Sequence, residues 1–251
     1  MLALGTGIGT VGLGEYADAQ DRGRLARATS SAATLNGDRN GETGRGRITM
    51  TWEVATDRPL VALTFDDGPQ PEWTDMVLTT LEEHKVSATF FMVGRRVRKY
   101  ANVVRGRLGR HEVGNHTWNH LDLATRDDDQ SRGDLLRGHE AIVDMLGITP
   151  KLFRPPYGHV GGASALAAAD LGYQMILWSR KMREAHYTTE QQVAVVLQEA
   201  APGMILLAHD VGAPDRLISL RALPGIITGL RAKGFEFVTV SELIASGSPA
   251  V

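Results

Sequence analysis

The 251-residue chain contains no cysteine. Disulfides, thiol nucleophiles and thiolate metal sites are therefore excluded together, so a bound metal would rest on His, Asp or Glu. The chain is also short of net charge, at −2, which gives no reason to expect nucleic acid or an anionic membrane surface as partner. Nor does it contain the ~18 consecutive apolar residues that a membrane span needs. What remains is an ordinary globular composition of a length that one α/β domain can fill.

The chain changes character along its length. The opening MLALGTGIGTVGLG, followed by small residues around Ala17-Asp18-Ala19, resembles the later part of a secretory signal. Residues from Tyr16 to Arg47 are polar, Gly-rich and without hydrophobic period, the pattern of a processed or disordered lead-in. We expect 1–47 to be signal-like and flexible and 48–251 to form the folded domain. The signal-like opening points to a secreted or envelope-associated protein.

From Ile48 onward, apolar runs alternate with amphipathic ones. Strands are expected at Leu60–Phe65, Ala88–Val93, Glu112–Asn115, Leu152–Arg154, Gln174–Trp178, Met204–Ala208 and Glu236–Val240. Helical patterns lie near Glu72–His84, Val97–Arg110, Gln130–Leu146, Ser164–Leu171, Thr189–Ala200 and Leu217–Lys233, with a kink or break expected at Pro224. Short strands that are apolar throughout, each followed by a helix, imply a parallel sheet covered by helices. Seven such units suggest an irregular barrel, whose chemistry belongs at the C-terminal strand ends.

Polar residues cluster at those ends. In Thr64-Phe65-Asp66-Asp67-Gly68-Pro69, two carboxylates follow an apolar strand, a costly placement unless something compensates them. Gly68-Pro69 breaks the strand, so both can turn to the barrel mouth. One could bind a divalent metal while the other accepts a proton; an Asp-Gly turn with solvated acids is the plainer reading of this segment alone. In His116-Thr117-Trp118-Asn119-His120, a spacing of four sets two imidazoles on one face of a helical turn, able to share a metal. With Asp67 they make a His-His-Asp set with positions left for water, the arrangement of a catalytic zinc. Phe153-Arg154-Pro155-Pro156-Tyr157-Gly158 is a stiffened segment whose Arg154 suits orientation of a carboxylate such as Asp66. In Leu206-Leu207-Ala208-His209-Asp210, His209 can protonate a leaving group and Leu207 can line a small apolar pocket; Asp210 could orient His209, although adjacency in the chain does not guarantee contact.

Taken in order, TFDDGP, HTWNH, FRPPYG and LAH resemble the first, second, third and fifth motifs of the polysaccharide deacetylases, the NodB-like carbohydrate esterases, over roughly Leu60 to Ile244. The resemblance implies an α/β fold, a distorted (β/α)7 barrel in a single domain, and hydrolysis of acetyl groups on a carbohydrate: an N-acetylglucosamine-containing glycan such as peptidoglycan or chitin oligosaccharide, or acetylxylan. It implies a divalent metal, zinc foremost and cobalt next, held by Asp67, His116 and His120. It implies Asp66 as general base, His209 as general acid, Arg154 as the tether of Asp66, the Tyr157 backbone N–H as oxyanion donor and Leu207 as receptor of the acetyl methyl. The fourth motif departs from the pattern: Lys181 stands where an Asp is expected, and Glu184-Ala185 where Asp-Trp is expected. Two other readings stay open: an amidohydrolase of the same barrel class acting on a non-sugar amide, and a catalytically impaired barrel that binds metal and glycan.

Overall fold

The computed structural model describes residues 47–182, 187–212, 214 and 216–247. The expected lead-in falls almost wholly outside them. Nine strands are described: β1 (Met50–Thr51), β2 (Leu60–Asp66), β3 (Thr89–Met92), β4 (Glu112–Asn115), β5 (Leu152–Phe153), β6 (Gln174–Ile176), β7 (Arg180–Lys181), β8 (Met204–His209) and β9 (Glu236–Phe237). Seven α-helices accompany them: α1 (Trp73–Glu83), α2 (Gly94–Val104), α3 (Asp128–Leu146), α4 (Gly162–Asp170), α5 (Thr189–Glu199), α6 (Arg216–Ala232) and α7 (Val240–Ala245).

The strands form one sheet in the order β1-β6-β5-β4-β3-β2-β8-β7, with β9 added beside the start of β2, and every strand pair is parallel. The run from Gln174 to Lys181 pairs with β5 at its beginning and with β8 at its end. One extended segment thus touches both flanks of the sheet and curls it into a barrel. This is the irregular α/β barrel that the alternation of runs implies.

Period-two alternation sorts the side chains. Val61, Leu63 and Phe65 of β2 and Met204, Leu206 and Ala208 of β8 pack outward against helices in the largest apolar cluster. Leu60, Ala62 and Ile205 pack inward with Phe91, Leu152 and Ile176. The same alternation turns Thr64, Asp66, Leu207 and His209 to the inside, and Asp66 stands opposite His209 in the β2–β8 register. The hydrophobic pattern therefore decides which face of each strand end carries the chemistry.

One helix expectation is corrected. Pro224 does not divide α6, which runs through it. The missing N–H is offset by the buried face of Leu220, Leu223, Ile226, Ile227 and Leu230, since tertiary burial outweighs one lost hydrogen bond. In α1 the buried face is Thr74, Val77, Leu78, Thr80 and Leu81; Met76 is exposed and His84 is the C-terminal cap. The strand expected to reach Val240 ends at Phe237, because Thr239 caps α7: its hydroxyl accepts from the Glu242 N–H, and its own N–H donates to the Glu242 carboxylate. Among the described residues, no helix is long and apolar enough to cross a membrane.

Candidate active site

Asp66 ends β2 inside the barrel and is buried. Its Oδ1 accepts from Nη1 of Arg154 at 2.7 Å. Arg154 is fully buried and spans the barrel interior. It also donates to the Thr64 hydroxyl at 2.8 Å and to the carbonyls of Ile176 and Leu177, and its guanidinium lies 4.0 Å from the Phe91 ring centroid. Each nitrogen of this cation thus finds a partner, which is what a buried charge pair requires to be tolerated. The other oxygen of Asp66, Oδ2, is left facing Nε2 of His116 at 3.8 Å.

The next residue turns away from the strand. Asp67 has φ 80°, and the cis Gly68-Pro69 bond follows. Its Oδ1 lies 3.0 Å from Nε2 of His120 and 3.5 Å from Nε2 of His116. These three donor atoms are mutually within 4.8 Å. His116 is fixed by its other nitrogen, because Nδ1 donates to the Arg154 carbonyl at 2.7 Å, which leaves a lone pair on Nε2. Oδ1 of Asp67 is buried and makes no hydrogen bond, so its contacts with the rings are those of facing lone-pair donors. Such an arrangement is stable only around a shared proton or cation. A divalent ion with nitrogen and oxygen ligands fits this donor set.

Electrostatics agree. Burial would raise the Asp67 carboxyl, but His116 and His120 hold it far below the usual carboxylate range. Burial depresses His116, yet Asp66 and Asp67 lift its imidazole above its ordinary value. A metal binding to these groups competes with protons for the same lone pairs.

The second imidazole does not come from a helix. Residues 116–120 form a loop in which Thr117 and His120 have φ 67° and 60°. The Thr117 hydroxyl accepts from the His120 N–H at 3.0 Å and closes the turn that brings both rings to one point. Buried Asn115 accepts from the Thr117 N–H and donates to Tyr173 and to the Leu135 carbonyl. The first N–H groups of α2 bind the carbonyls of Thr117 and Trp118. The two rings at a spacing of four do meet, but the geometry behind it is a braced loop and not a helical turn.

Tyr157 follows Arg154 on its own turn, with φ 61° and its side chain 59% exposed. Its ring stands edge-on to His120, centroids 4.8 Å apart. Leu207 and His209 are buried on the inner face of β8. The structure thus brings Asp66, Asp67, His116, His120 and Arg154 into direct contact, and places Tyr157, Leu207 and His209 around them. A left-handed conformation at an ordinary residue costs of order 1–3 kcal/mol and collects at functional sites; Asp67, Thr117, His120 and Tyr157 all have it.

Asp210 does not orient His209. Its Oδ1 accepts from the Gly68 N–H at 2.9 Å and its Oδ2 from the Thr74 hydroxyl at 2.7 Å. Burial pushes its carboxyl up to about 7, against the Thr74 hydrogen bond and with help from the Asp67 charge. Lys181 is exposed, in register with Leu207, and Glu184-Ala185 lie outside the described residues. Arg216 was not anticipated: its Nη1 donates to Asp67 Oδ2 at 2.8 Å and to the Val211 carbonyl at 2.7 Å. No motif flagged it, because it is 149 residues away from Asp67 in the chain.

This fold and these motifs define a family: the sequence profile described as polysaccharide deacetylase matches residues 53–176. The chain belongs to that family, whose members are hydrolases. It is 41% identical over 199 residues to a peptidoglycan-N-acetylglucosamine deacetylase of Bacillus cereus, covering 78% of this chain and 92% of the relative. A crystal structure of a peptidoglycan N-acetylglucosamine deacetylase superposes with a TM-score of 0.75 at 30% identity, over 80% of this chain and 95% of the other. A family 4 acetyl xylan esterase from Clostridium thermocellum, in complex with a cobalt ion, gives 0.68 at 35% identity, over 74% and 90%.

Proposed function

We propose that this protein removes the acetyl group from N-acetylglucosamine units of a peptidoglycan-type glycan, using a divalent ion, zinc foremost, held by Asp67, His116 and His120. The observation that carries the reading is the convergence of the orphaned Asp67 Oδ1 with two Nε2 atoms beside a second, tethered carboxylate. The 41% identity to a peptidoglycan deacetylase supports this substrate over acetylxylan and over a non-sugar amide. A cell-wall glycan as substrate, together with the signal-like opening, supports action outside the cell or in the envelope.

Each residue has a distinct task. When bound, a divalent ion brings the pKa of its water to around 7 and polarises the acetyl carbonyl. Asp66 takes the water proton on Oδ2, since Oδ1 is committed to Arg154. General-base help of this kind is worth about 10²–10⁴-fold. The Tyr157 N–H, presented by its left-handed backbone, donates to the oxygen that gains charge, worth about 3 kcal/mol at the transition state. His209, opposite Asp66 on the neighbouring strand, returns a proton to the departing sugar amine. Leu207, two residues earlier on the same inner face, receives the acetyl methyl.

Acetate release tests the reading. Zinc- or cobalt-loaded protein, given acetylated peptidoglycan oligomers, chitooligosaccharides and acetylxylan in parallel, should release acetate fastest from the first. Asp66→Asn should abolish release with metal content unchanged. Glycan binding without acetate from any substrate would favour the impaired, binding-only barrel, which the altered fourth motif, Lys181 with Glu184-Ala185, supports.

A further inference from the structure

The carboxylate of Asp67 has two oxygens, and the fold treats them differently. Oδ1 faces the imidazoles without a hydrogen bond. Oδ2 accepts from Nη1 of Arg216 at 2.8 Å, and the same nitrogen donates to the Val211 carbonyl at 2.7 Å. The guanidinium is thus itself located by backbone before it locates Asp67. Its seat depends on Gly212, which has φ 130°; a Cβ there would lie 2.7 Å from Cδ and Nη1 of Arg216.

A second brace lies one residue along. The Gly68 N–H donates to Asp210, and a Cβ on Gly68 would come within 2.2 Å of that carboxylate. The segment after β8 therefore grips the segment after β2 twice: Asp210 holds its backbone and Arg216 its side chain. Neither contact reaches the Nε2 atoms of His116 and His120.

We propose that Arg216 is a positioning residue that occupies Oδ2 of Asp67 and so confines this carboxylate to binding the ion through Oδ1 alone. The proposal rests on the reading of Asp67, His116 and His120 as the metal site. Two effects oppose each other. A cation beside the ligand draws charge from it and repels the ion. The same fork removes the rotational freedom of Asp67 and denies the ion a second oxygen, leaving open positions for water and substrate. Orientation outweighs repulsion here, because Arg216 is partly solvent-exposed and its charge is screened, whereas its hydrogen bond is geometric. Partners that orient a metal's own ligands are typically worth about 10–100-fold in metal affinity.

The test measures zinc affinity by competition with a chromophoric chelator, with no glycan present. Arg216→Met should weaken zinc by about 10-fold or more. Arg216→Lys should recover part of that loss. Gly212→Ala, which displaces the guanidinium without removing it, should weaken zinc in the same direction. The cobalt absorption spectrum of Arg216→Met should also differ from that of the parent, as a second coordinating oxygen would make it do. Should Arg216→Met fail to fold, the Lys and Gly212→Ala variants decide alone. Parent-like or tighter zinc binding in the variants, with an unchanged cobalt spectrum, overturns this proposal and leaves the metal site standing. Failure of the parent itself to bind zinc overturns both.

Discussion

The two sides of the barrel mouth are built to different standards. On the side of β2, β4 and β5, Asp66 is gripped by Arg154 and His116 by the Arg154 carbonyl, while Arg216 reaches across from the segment after β8 to grip Asp67. The loop carrying His120 is pinned by Thr117, Asn115 and the start of α2. On the other side, β7 is two exposed residues long, Lys181 makes no ion pair among the described residues, and the fourth-motif positions 184 and 185 fall outside them. The half that would hold an ion and take a proton is set by the fold itself. The half that would return the proton depends on one strand end, β8, and on loops. Groups that must converge on one point are thus supported by several elements.

The comparison can be broken from either end. Asp67→Ala should have the largest effect: zinc is no longer retained and acetate release falls to background, as metal analysis and an acetate assay would show. Retained zinc would mean that the braced half is not the metal site. His209→Gln comes next, with an expected fall of about 10²–10⁴-fold in release from the amide substrate at unchanged zinc content. A nitrophenyl acetate ester, whose leaving group needs no proton, should lose far less. Equal losses on both would remove His209 from the acid role.

A smaller effect concerns the brace under Asp67. A buried carboxyl with its pKa at about 7 binds more protons folded than unfolded, where it titrates near 4. Its contribution to stability is complete below pH ~4 and is lost as pH rises to about 7, by up to ~1.4 kcal/mol per pH unit. Denaturant midpoints of the parent minus those of Asp210→Asn should therefore decline across that window. Subtraction matters because His111, lowered to about 4 mainly by burial, slopes the other way. A flat difference would mean that Asp210 is ionised throughout. The smallest change is expected from Lys181→Asp: an exposed charge is worth ~1 kcal/mol or less, so kcat/KM should move by less than about 5-fold. An increase would mark Lys181 as an impairment, a decrease as an accommodated change.

Much of this was legible in the sequence. Apolar runs located seven of the nine strands, because full burial on both faces leaves a continuous hydrophobic signature. Four motifs located the strand ends that carry polar side chains. The two missed strands, β1 and β7, are half-buried and exposed respectively, so neither leaves an apolar run to read. The capping box Thr239-Val240-Ser241-Glu242 was readable, but it lay behind an apolar run that looked like strand. Arg216 and the true partner of Asp210 could not be found locally, since each contact closes across more than a hundred residues. The turn at His116–His120 shows the limit of spacing arguments. An interval of four is shared by a helix and by a loop with two left-handed residues, and only packing separates them.

Those left-handed residues have an evolutionary corollary. Asp67, Thr117, His120 and Tyr157 each hold a conformation that glycine would adopt without penalty, yet glycine at Thr117 would forfeit the hydroxyl that ties the His120 N–H and let the two imidazoles drift apart. Relief of backbone strain and retention of the ion-binding turn would then pull in opposite directions at the same residue.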